Sequence, residues 1–106
     1  MVGEQDAAHA LGGRIRVVLS DDGSRSRRAL QALLVDQPDI DVVGVVEDGD
    51  DALGMLRLLR PDIALLDEDM AAFGGAAVAR VIATELPDTR VVVLTDAPRG
   101  STWTRE

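Results

Sequence analysis

Residues 61–75 read PDIALLDEDMAAFGG, and this stretch decides the fold. Ile63, Ala64, Leu65 and Leu66 form an apolar run too short for a typical helix and suited to a buried strand. The run ends in Asp67, Glu68 and Asp69. A loop with Gly74 and Gly75 comes next, and then helical spacing resumes. A core strand thus delivers carboxylates to its own C-terminal end. In open parallel sheets, ligands bind at that edge.

Upstream, Ala52, Met55, Leu56 and Leu59 make a helical stripe that Pro61 halts. Before it, Ile40 to Val46 reads as a strand, and its Asp41 and Gly44 suggest a sheet edge. Glu47 to Asp51 is an acidic turn. Earlier still, Ile15, Val17, Val18 and Leu19 mark a β-branched central strand closed by Asp21 and Asp22. Gly23 turns the chain and Ser24 is the expected N-cap. Leu30, Leu33 and Leu34 then keep helical spacing, with Arg25, Arg27, Arg28 and Gln31 assigned to the solvent side. Downstream, Val78, Val81 and Ile82 mark a third helix, and Arg90 to Thr95 a fourth strand.

A weak internal repeat supports this division. Pro-Asp recurs at 38–39, 61–62 and 87–88, each time between a helical stripe and an apolar strand. Proline stops the helix and a short loop leads back to the sheet. Strand-helix alternation with right-handed crossovers gives an α/β fold: a parallel sheet with helices on both faces. Asp21, Asp22, Asp67 and Thr95 then fall at one sheet edge.

Composition narrows the function. The 106 residues suit a single domain, and 46% hydrophobic residues can build a core without disulfides. The absence of cysteine excludes thiolate metal sites and cysteine nucleophiles, and fits a reducing cytoplasm. A formal net charge of −8 disfavours binding to nucleic acid or anionic membrane. No run is long enough to span a bilayer. Residues 1–13 read as a flexible leader, and His9 within them as a surface side chain.

Carboxylates converging at strand ends repel one another unless a cation sits among them or some protonate. Their hard oxygens select Mg²⁺, Mn²⁺ or Ca²⁺. A carboxylate so placed can act as a nucleophile toward phosphorus, giving an aspartyl phosphate. A hydroxyl such as that of Thr95 could hydrogen-bond a phosphate oxygen.

The stretches IRVVLSDDGSRSRRALQALL, DIDVVGVVEDGDDAL, RPDIALLDEDM and LPDTRVVVLT, in this order, carry a specific likeness. From Ile15 to Thr95 the chain resembles the receiver domain of bacterial two-component response regulators, the kind followed by a helix-turn-helix output domain. The resemblance implies a flavodoxin-like sheet of order 2-1-3-4. It implies a phosphoacceptor at Asp67, fed by a histidine kinase, and a switch hydroxyl at Thr95. It further implies Mg²⁺, or Mn²⁺, held by Asp22, Asp67 and the backbone carbonyl of Asp69, with Asp21 acting through a water or just outside the direct ligands. Such a domain is a cytoplasmic signalling element rather than an enzyme, and DNA binding belongs to its output domain.

The departures from that pattern set further expectations. Ala71 stands where proline usually comes after the methionine, which should loosen the loop, and Gly74 where aspartate is common. Family receivers continue past the hydroxyl through a helix, a strand bearing a lysine, and a last helix. Here residues 96–106 alone remain, and no lysine exists anywhere in the chain. The reading is therefore a truncated receiver at 14–95, its fifth strand missing, and a tail or short helix at 96–106. Whether the shortening reflects a piece of a longer regulator or a natural loss stays open. An exposed edge at Val91 to Leu94 would invite a homodimer, with exchange of the tail as one route. Two other functions stand beside phosphoacceptance: a degenerate receiver serving as an interaction module, and a phosphatase of the haloacid-dehalogenase type, suggested by LLDED. In the latter family the aspartate motif opens the domain and a lysine comes later, unlike here.

Overall fold

A computed structural model describes residues 13–97 and 100–105. The leader up to residue 12, with His9, lies outside the described residues. The elements are β1 (Ile15–Ser20), α1 (Arg25–Val35), β2 (Ile40–Val46), α2 (Gly49–Leu59), β3 (Ile63–Asp67), α3 (Gly75–Glu85), β4 (Arg90–Ala97) and β5 (Gly100–Arg105). The sheet order is β2-β1-β3-β4-β5. The first four strands are parallel, which is the expected 2-1-3-4 arrangement.

Burial follows the alternation of each strand. One face carries Val18, Val46, Ala64, Leu66, Val91 and Val93, covered by Ala52 and Leu56 of α2 and by Val78, Ala79 and Ile82 of α3. The other face carries Val17, Leu19 and Leu65, against which Leu30 and Leu34 of α1 pack. No residue of α1 is itself buried, so this second face is the thinner one. Gly44, as expected, lies on an edge strand, beside a register shift between β1 and β2.

The helix starts explain themselves locally. Ser24 caps α1 by accepting from the Arg27 N–H at 3.2 Å, and Asp48 caps α2 by accepting from Asp51 at 2.8 Å. Such caps satisfy donors that have no partner within the helix. The Pro-Asp junctions tie the strands together. Asp62 accepts from the Arg16 N–H on its side chain at 2.8 Å and from the Arg90 N–H on its carbonyl at 3.0 Å.

The C-terminal segment corrects two expectations. Residues 100–105 form a strand rather than a short helix, and β5 pairs antiparallel with β4 from Val92↔Arg105 to Ala97↔Gly100. The edge expected to be open at Val91 to Leu94 is therefore closed. Val91, Val93 and Leu94 are buried, and the unpaired edge has moved outward to β5. A ladder pairs backbone groups on both strands at once, whereas a helix this short would leave most of its own groups unpaired and β4 uncovered.

Candidate functional site

Parallel register brings the acids to one rim. Leu19 of β1 pairs with Leu65 of β3, and Asp67 pairs with Leu94 of β4, so Asp21, Asp22, Asp67 and Thr95 all lie at the C-terminal end of the sheet. The chain is stitched together here: Asp21 N–H donates to the Val46 carbonyl and Glu68 N–H to the Leu94 carbonyl, each at 2.9 Å. Thr95 is half-buried and pairs through the backbone register with Thr102 of β5.

Asp67 is 4% exposed, an unusual place for a carboxylate unless it is paired. Its partners are Ser20 and Arg27. The Ser20 hydroxyl donates to Asp67 Oδ2 at 2.8 Å and accepts from the Asp67 N–H at 2.8 Å. Arg27 Nε donates to Asp67 Oδ1 in a tight ion pair. The Arg27 side chain is 11% exposed, so the pair is withdrawn from water. This corrects the assignment of Arg27 to the solvent side of α1. Arg25 and Arg28 do face solvent. The signal lies in the spacing: Arg27, Leu30 and Leu34 stand at i, i+3 and i+7, on the face that packs against the sheet. Ser20 is visible in the sequence only as the last residue of a strand.

Asp21 and Asp22 have different surroundings. Asp22 is exposed, and its Oδ1 accepts from the Ser24 N–H at 2.8 Å; Asp21 Oδ1 accepts from the Gly23 N–H at 2.7 Å. Hydrogen bonding by the Ser24 side chain, then by its backbone, holds the Asp22 carboxyl below the usual carboxylate range, and the Arg27 charge adds to this. A shallow depression of about 400 Å³ is lined by Asp21, Asp22, Gly23, Arg28 and Glu47. Asp67 is not part of its lining.

The loop after Asp67 is anchored, contrary to the loosening expected from Ala71. Ala71 bridges to Asp48, and its carbonyl accepts from the Gly49 N–H at 3.0 Å. Phe73 packs on Gly49, where a Cβ would come within 2.5 Å of its ring. Glycine at 74 has a steric reason: a Cβ there would lie 2.0 Å from the Glu68 carbonyl oxygen. Glu68 is half-buried, and its Oε1 reaches the Ala76 N–H at 3.4 Å, near the start of α3. Ala72 takes a left-handed conformation at φ 71°, which side chains rarely adopt. Asp69 is exposed.

The oxygen donors suit a hard divalent cation in kind, but their arrangement does not fit one. Among the described residues no group of three or more acidic or histidine side chains could hold a metal ion. Both carboxylate oxygens of Asp67 are already engaged, one by a hydroxyl and one by a guanidinium.

Among the described residues no helix is long and apolar enough to cross a membrane. The chain is 40% identical over 81 residues to the transcriptional regulatory protein LiaR of Bacillus subtilis, covering 76% of this chain and 38% of LiaR. It is 35% identical over 81 residues to a protein-glutamate methylesterase/protein-glutamine glutaminase of Geobacter sulfurreducens, covering 76% of this chain and 22% of that protein. The chain thus spans well under half the length of these relatives. Its fold superposes on the NarL signal receiver domain of Mycobacterium tuberculosis with a TM-score of 0.73 and 36% identity, covering 82% of this chain and 72% of that one. A family model for the response regulator receiver domain matches residues 17–103, extending into β5. With that match over most of its length and a parallel 2-1-3-4 sheet carrying acids at one rim, this chain belongs to the response regulator receiver domain family.

Proposed function

We propose that the domain accepts a phosphoryl group on Asp67 from a phosphohistidine of a partner histidine kinase. The observation that carries this reading is the position of Asp67, at the end of the central strand and on the same rim as Asp21, Asp22 and Thr95. In the reaction a carboxylate oxygen of Asp67 attacks phosphorus, the P–N bond breaks, and the leaving imidazole nitrogen takes a proton from solvent. The product is an acyl phosphate. Thr95, in the strand beside β3, is the hydroxyl proposed to sense it, biasing a two-state surface around β4. Mg²⁺ or Mn²⁺ belongs to the proposal only with Asp67 released from its present partners. Asp22, Asp67 and the Asp69 carbonyl would then be the donors, with Asp21 outside them.

The setting proposed is the cytoplasm, with DNA binding left to an output domain in a longer protein. A homodimer, if formed, would use the β5 edge rather than β4; a molecular mass independent of concentration contradicts it. The test of phosphoacceptance is incubation with acetyl phosphate and MgCl₂, with intact mass as the readout. A labile gain of one phosphoryl group, absent in Asp67→Asn, is the expected result.

A second reading has its own observation. Asp67 is closed off by Ser20 and Arg27, which favours a receiver that serves as an interaction module. Persistent absence of any adduct supports this alternative. The dehalogenase-type reading requires steady turnover of a phosphate ester, and the family match offers it no support.

A further inference from the structure

Carboxylates gathered at one rim need a cation, and the chain itself supplies one. Arg27 rises from the first turn of α1, where its backbone N–H is tied to the Ser24 cap. Its guanidinium reaches back to Asp67, forty residues away in sequence. Both partners are largely withdrawn from solvent, at 11% and 5% side-chain exposure. A buried carboxylate left without a partner is costly, so the pair is held by the energy of avoiding that state. The neighbouring Arg28 lines the depression with Asp21, Asp22 and Glu47. Two consecutive arginines thus bring positive charge to the acidic rim.

From this geometry we infer that Arg27 is a resident counter-ion that occupies Asp67 in place of a divalent cation, and that the guanidinium must leave before Asp67 can take a metal ion. The two cations compete for one oxygen, Asp67 Oδ1, since Oδ2 is taken by Ser20. An arginine fork is a directional partner and has to rotate away as a unit before an ion can reach that oxygen. Arg27 is therefore a positioning residue. It sets the metal affinity of the rim without being a ligand. This inference deepens the phosphoacceptor reading but is tested separately from it.

The probe is Mn²⁺ alone, with free ion counted by electron paramagnetic resonance in the wild type, Arg27→Gln, Asp67→Asn and the double variant. Releasing a charge-assisted hydrogen bond should raise Mn²⁺ affinity about tenfold in Arg27→Gln. The double variant should lose that gain, because the released oxygen is gone. Equal or weaker binding by Arg27→Gln overturns the inference, as does a gain that survives in the double variant or an absence of binding in every protein. Should Arg27→Gln fail to fold, the wild type decides. Its Arg27 Nε–H signal, slow to exchange with water in the metal-free protein, should lose protection in saturating Mg²⁺; an unchanged signal overturns the inference.

The acetyl phosphate experiment separates the two claims. A tenfold Mn²⁺ gain with no phosphoryl adduct in any protein keeps the counter-ion role and removes the phosphoacceptor. An Asp67-dependent adduct with no Mn²⁺ gain does the reverse.

Discussion

The ends of β1 and β3 share a rim, yet their acids live in different surroundings. Asp22 is exposed, bonded to its own turn, and faces a shallow open depression. Asp67 is 4% exposed and bonded to two side chains from elsewhere in the chain. The first acid can meet water or an ion without any rearrangement. The second cannot, because Ser20 and Arg27 already hold its two carboxylate oxygens. On the proposed phosphoacceptor reading, reactivity at this rim depends on what releases Asp67 rather than on what attracts ligands to Asp22.

The contrast should appear in stability, and the largest effect falls on the buried side. Arg27→Ala leaves the buried Asp67 without its ion-pair partner, and chemical denaturation should show a loss of about 3 kcal/mol. A loss as small as that of an exposed pair would break the contrast. Ser20→Ala removes a donor to Asp67 Oδ2 and an acceptor for its N–H, both buried. About 2 kcal/mol is expected from the two unsatisfied groups, by the same measurement.

Much of this rim is legible in the sequence. The Pro-Asp repeat and the apolar runs place four strands and three helices, and a parallel sheet then forces Asp21, Asp22, Asp67 and Thr95 to one end. The partners of Asp67 are harder to read. Charge groups Arg27 with Arg25 and Arg28, though its spacing from Leu30 and Leu34 sets it on the packed face. Chemical type and periodicity disagree there, and periodicity is right. The strand β5 is hidden for another reason. Receivers in general place a helix after the switch hydroxyl, and that pattern masks the strand character of Thr102, Trp103 and Thr104. The closure of Asp67 is tertiary, joining β1, α1 and β3, so no local pattern announces it.

Smaller effects belong to the exposed side. Asp22→Ala loses a turn bond to Ser24 and should cost under about 1 kcal/mol. Its pH dependence has a defined sign. The Asp22 carboxyl is held low in the folded state, so its contribution is present above the unfolded carboxylate pKa and is lost as pH falls through the lower folded value. Acid titration monitored by circular dichroism should show a shallower loss of stability in Asp22→Ala over that window.

The smallest effect is expected far from the rim, where Arg57 of α2 grips Glu85 of α3 through two bonds at 2.7 and 2.9 Å. Hydrogen bonding to Arg57 holds the Glu85 carboxyl below its usual range. Both side chains are about half exposed, so salt should weaken the pair. A double-mutant cycle should find a coupling that fades at high ionic strength, whereas the Arg27–Asp67 coupling should persist. Equal salt sensitivity of the two pairs would contradict the burial difference between the two sites.

The central claim is that Asp67 is the chemically competent acid of this rim. It is tested most directly by intact mass after treatment with acetyl phosphate and MgCl₂, comparing wild type, Asp67→Asn and Asp22→Asn. The expected result is one labile phosphoryl group on the wild type, none on Asp67→Asn, and a reduced but Asp67-borne adduct on Asp22→Asn. An adduct that survives Asp67→Asn, or a wild type that never gains one, contradicts the claim.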